Sequence, residues 1–121
     1  MAEDDPGTER ARVLMHLNDK IIALDRHEAE LIRLDGEEED PDIREQLSQQ
    51  RNETIIEREL CQARYDQIFA NAPFSNPGEA AENELLNAIQ QADILIQTSA
   101  GAVALMAAFH RVVVAYSGAR T

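Results

Sequence analysis

Along the first third of the chain, apolar residues recur at Val13, Leu14, Leu17, Ile21, Leu24, Leu31 and Leu34, with Ile22 and Ile32 beside them. Steps of three and four dominate, which is the period of a helix with one buried face. A leaner stripe follows at Ile43, Leu47, Thr54, Ile55, Cys61, Tyr65 and Ile68, set among Glu, Arg and Gln. It predicts a second helix that covers one neighbour and otherwise faces water. The last third changes character midway. Glu79 to Asp93 is amphipathic through Leu85, Leu86 and Ile89, whereas ILIQTSAGAVALMAAFHRVVVAY, residues 94–116, is apolar on every side. A helix of that kind must be enclosed by something.

Punctuation sets the boundaries. Asp5-Pro6, Asp40-Pro41 and Asn76-Pro77 each place a capping side chain before a proline, whose missing N–H costs nothing in a first helical turn. Glu45 follows Asp42 and Glu79 follows Asn76 at capping-box spacing, and Pro73 closes the helix before it. The pattern predicts an all-α chain of one domain, residues 1–121. Its three long helices, about 6–35, 41–71 and 77–117, form an up-down-up antiparallel bundle. Two amphipathic helices are too few to surround the third. The expected remedy is a homodimer in which Ala100, Ala104, Ala107 and Ala108 form a smooth strip that pairs with itself about a two-fold axis. In a lone chain, Val103, Phe109 and Val113 would stand bare.

The same stretch has the length of a membrane span, and a tail-anchored protein is one reading of it. Gln97, Thr98, Ser99, His110 and Arg111 interrupt it and leave only ten uninterrupted apolar residues, Ala100 to Phe109. Charge there is costly in lipid, so the interior of a bundle is the preferred reading.

Charge narrows the class of partner. The 121 residues carry 23 acids against 11 Lys and Arg, a formal net charge of -12. Residues 1–40 hold 13 of the acids and 5 of the bases. Such a field repels nucleic acid and favours a basic protein partner. Ten of the bases are Arg and only Lys20 is Lys, which suits fixed pairing with carboxylates. The single cysteine, Cys61, and the lack of a basic-then-apolar leader make the cytoplasm the expected compartment.

No reactive constellation emerges, and no cofactor or metal is expected. HEAEL, residues 27–31, has Leu31 where a zinc motif needs a second His. Val13, Leu24 and Ala107 stand where a di-iron bundle would carry Glu three residues before His16, His27 and His110. The acid run Glu37, Glu38, Glu39 and Asp40 lacks the alternation of a calcium loop and is the candidate surface for a basic partner. Asp93 enters a helix that is becoming buried and calls for Arg51 or Arg58 as a partner. His110 and Arg111, at the end of the third helix, would latch electrostatically onto the acidic turn 34–42. The leading functional reading is a small acidic helical interaction protein, like an immunity protein, an antitoxin or a secretion chaperone. An enzyme would instead require several of Arg10, Arg26, Arg51, Arg58 and Arg64 to converge on a pocket.

Overall fold

The computed structural model describes residues 6–121, with side chains from Gly7 onward, so the expected cap at Asp5 lies outside the described residues. Four helices follow one another: α1 (Pro6–Glu37), α2 (Pro41–Phe69), α3 (Glu79–Gln97) and α4 (Ala102–Gly118), and the described residues contain no strand. The all-α class stands. The third expected helix is two helices.

The break lies inside the apolar stretch. Thr98 ends α3, Ser99 takes a left-handed φ of 57°, and Gly101 caps α4 in extended conformation. Ala100 N donates to Leu95 O at 3.0 Å and Ser99 N to Ile96 O at 3.1 Å, the two hydrogen bonds of a Schellman closure. The Thr98 hydroxyl also donates to Ile94 O at 2.9 Å. Helix α2 ends the same way: Asn71 has φ 78°, Ala72 N reaches Gln67 O, and Asn71 N reaches Ile68 O. A hydrophobic pattern is blind to such a break, because the segments on both sides of it are helical and apolar.

The consequence is that the chain covers its own apolar helix. Helix α4 folds back on α3 and lies against α2, burying Phe109 (0% exposed) and Val113 (6%) while Val103 stays open at 64%. Two of the three residues expected to need a second chain are therefore covered within this one. Pairings fix the directions. Cys61 meets Leu17 and Arg44 meets Asp35, so α1 and α2 are antiparallel. Lys20–Glu82 and Arg26–Asp93 ascend together along α1 and α3, and Glu53–His110 and Glu57–Arg120 along α2 and along α4 with the residues just after it. The result is an up-down-up-down arrangement of two helical hairpins, in place of a three-helix bundle.

Two of the expected starts can be checked. Asp40 caps α2 with its side chain accepting from Asp42 N, and Pro41 is the first helical residue. Helix α3 begins at Glu79 with Gly78 as its cap, because the Asn76 side chain turns to Glu9 of α1 instead of back to its own helix.

Candidate functional site: an acidic end and a polar core

Seven carboxylates and one guanidinium lie between residues 35 and 45. The four acids singled out in sequence divide by role. Glu37 shares Arg33 with Glu30, with Arg33 Nη1 at 2.9 Å from Glu37 Oε2. These two acids raise the Arg33 pKa, Glu30 first and chiefly through its hydrogen bond. Glu38 accepts from Asp40 N at 3.1 Å, and Asp40 accepts from Asp42 N at 2.9 Å, so both shape the turn. Glu39 is exposed and has no ion-pair partner among the described residues. Arg44 is paired with Asp35 at 3.4 Å, leaving Asp42 and Glu45 open to solvent. The turn therefore keeps a strong local excess of negative charge.

The expected latch does not form. With α4 reversed by the break, His110 lies midway along the bundle, its Nδ1 2.7 Å from Glu53 Oε1 of α2. Arg111 lines a shallow cleft with Asn87 and Gln91 of α3. Asp93 is held by Arg26 of α1 at 3.0 Å, and Arg58 is taken by Asp25 and Glu28. The alanine strip is also partly used within the chain. Ala100 is half-buried in the α3–α4 turn, while Ala104, Ala107 and Ala108 line a cleft of about 160 Å³ with Ala88, Gln91 and Leu95 of α3.

The five arginines proposed for a pocket do not converge. Arg10 donates to Ile68 O (2.9 Å) and Ala72 O (3.0 Å) and lies over the Phe74 ring, serving the end of α2. Arg64 donates to Pro73 O (2.8 Å) and to the main-chain oxygen of Thr121 (2.9 Å). Arg51 is exposed, and Arg26 and Arg58 sit in ion pairs on the bundle's flanks.

The buried chemistry lies elsewhere, around Lys20, Glu57 and Tyr116, none of which belongs to a motif considered above. The inward seam of α1 runs Val13, Leu17, Lys20, Leu24, His27, Leu31, Leu34, and that of α2 runs Leu47, Gln50, Thr54, Glu57, Cys61 and on to Ile68. Lys20, 4% exposed, places Nζ 2.8 Å from Glu82 Oε1 and 5.6 Å from the centre of the Tyr116 ring. Arg120 lies over the same ring at 5.2 Å while holding Glu57 at 3.0 Å. Cys61 is fully buried, with Sγ 3.7 Å from Leu17 O. Burial pushes the Cys61 thiol and the Tyr116 phenol up, so both stay protonated at neutral pH and neither is a ready nucleophile. A groove of about 410 Å³ between α1 and α3, lined by Glu9, Arg12, His16, Glu79, Glu82 and Leu86 among others, opens beside this cluster.

One layer further along, His27 is fully buried and stacks on Phe109 at 4.4 Å, and neither ring nitrogen has a hydrogen-bond partner among the described residues. Desolvation, helped by the nearby charge of Arg26, lowers its pKa to about 4. The imidazole is therefore neutral and structural. Among the described residues no group of three or more His, Cys, Asp or Glu could hold a metal ion, and no helix is long and apolar enough to cross a membrane. The break at Ser99 is what divides the candidate span.

A usable signal for the polar core was present in the sequence: Lys20 and His27 continue the four-three spacing of the leucines around them. No protein-family model, curated protein or solved structure matches this chain.

Proposed function

We propose that this chain is a protein–protein interaction module whose partner is basic, in the manner of immunity proteins, antitoxins or secretion chaperones. The observation that carries the reading is the α1–α2 turn, where Glu39, Asp42 and Glu45 are exposed and have no ion-pair partner among the described residues, within a run of seven carboxylates. Charge on a rim chiefly sets association rate and partner choice, because it acts before contact and is screened by salt. A net charge of -12 reinforces that field at long range. The buried cluster supports the same reading, since its thiol and phenol are shielded and its ionic groups are paired with one another.

The test is to recover the partner with the immobilised chain and then to measure association rates at low and physiological salt. Replacing Glu37, Glu38 and Glu39 together with Gln is expected to slow association about tenfold at low salt and to flatten its salt dependence. Unchanged rates would remove the steering role of the turn. A partner with an acidic contact surface would remove the reading altogether.

A further inference from the structure

Helix α1 carries a second heptad seam, and it faces solvent. Ala11, Met15, Asn18, Ile22, Ala29 and Ile32 follow the same alternation of four and three as the buried seam, and all six are exposed. Each lies two residues from a buried seam position and so about 200° around the helix from it. Met15 is 67% exposed, Ile22 51% and Ile32 46%. The one charge in the series, Asp25, is engaged by Arg58 at 2.9 Å. Isolated apolar residues on a surface need no account. Six uncharged positions in register along about 32 Å of helix do, on a chain in which 28% of residues are charged. At one end the face widens onto α2, where Tyr65 and Phe69 stack at 6.3 Å and Phe69 is 71% exposed. Leu14, Met15 and Tyr65 help to line a shallow hollow of about 340 Å³ there.

The geometry points to this face as the docking site for an amphipathic helix of the partner, with basic residues flanking its apolar stripe. The inference rests on the reading of a basic partner given above. Heptad spacing favours a helix, because holes at that period match the knobs of another helix's apolar stripe. Charge selects its flanks. Along the border of the seam Arg12 is taken by Glu9, Arg26 by Asp93 and Arg33 by Glu30 and Glu37, whereas Asp19 is exposed and without an ion-pair partner among the described residues. A second copy of the chain would bring its own charge of -12 to the same face, where a Lys- or Arg-flanked helix brings the opposite sign.

The experiment uses three synthetic three-heptad peptides, labelled for fluorescence anisotropy. One has Leu at a and d with Lys at e and g, a twin has Glu in place of Lys, and a second twin has Ser in place of Leu. The full-length protein should bind the Leu/Lys peptide at physiological salt and bind either twin at least tenfold more weakly. The double variant Met15→Ser, Ile22→Ser, both on the surface, should weaken that binding at least tenfold with an unchanged circular dichroism melt. Val114→Ser, exposed on α4, should leave it unchanged. If the Leu/Lys peptide binds but the double variant binds it equally well, the α1 face is overturned while the basic-partner reading stands. If the Glu twin binds as tightly as the Lys peptide, both fall. Self-association of the wild-type protein in sedimentation, lost in the double variant, would assign the face to a second copy and overturn the peptide-helix proposal.

Discussion

His27 is stacked on Phe109, and among the described residues nothing bonds either ring nitrogen, so its charged form has no place in the folded core. Above pH 6.5 the ring is neutral whether the chain is folded or not, and the full stability is present. As pH falls from 6.5 toward 4, the unfolded chain takes up a proton that the folded one refuses, and stability drops by about 3 kcal/mol across that window. His27→Leu should remove this part of the acid sensitivity. Between pH 7 and 4.5 the urea midpoint should fall more steeply for wild type than for the variant, and equal slopes would mean that the ring is not the cause. Lys20 and His27 show what was legible at this scale. Their spacing places them in the core, although neither is an apolar residue. What could not be read was who would meet Lys20, because Glu82 and Tyr116 lie 62 and 96 residues further along the chain; Glu82 reaches it from α3, and Tyr116 only through the reversal of α4.

Helix starts were the most legible elements, since Asp40 and Pro41 act locally and the structure places both as their chemistry dictates. Asn76 shows the limit of the same logic: its side-chain NH2 donates to a distant carboxylate, Glu9, which turns the amide away from the backbone N–H groups its oxygen would have capped, and α3 starts two residues late. The break at Ser99 was hidden for a different reason. Glycine is the usual residue at the left-handed position of such a closure, and here Gly101 stands two residues beyond it, serving as the cap of α4. A side chain at φ 57° carries a backbone cost that glycine avoids. Ser99→Gly should therefore raise the urea midpoint, by an amount equivalent to about 0.5–1 kcal/mol after the added freedom of the unfolded chain is subtracted. A lower midpoint would mean that Ser99 is held by more than its backbone.

At the scale of the molecule, the acid is concentrated in the first hairpin and the most apolar sequence in the second. Residues 1–76 carry 19 of the 23 acids, and residues 77–121 supply the helix that is apolar all round. The all-α class, the acidic first hairpin and the need to enclose residues 94–116 were all readable, whereas the topology turned on four residues, Thr98 to Gly101. That turn has a further consequence. Straightened, residues 79–118 would form one helix of about 60 Å, and α4 would leave its own bundle open for the α4 of another copy. Exchange of α4 between two copies would then cover the apolar surface that α4 covers here within one. Ser99→Ala with Gly101→Ala favours the straight form, and a Cβ at position 101 meets nothing within 4 Å, so the closed form is not blocked by a clash. Light scattering after size exclusion should show a larger share of dimer for that variant than for wild type, and a smaller one for Ser99→Gly. Equal shares in all three would mean that the turn is held by the packing of α4 itself, with residues 98–101 merely following.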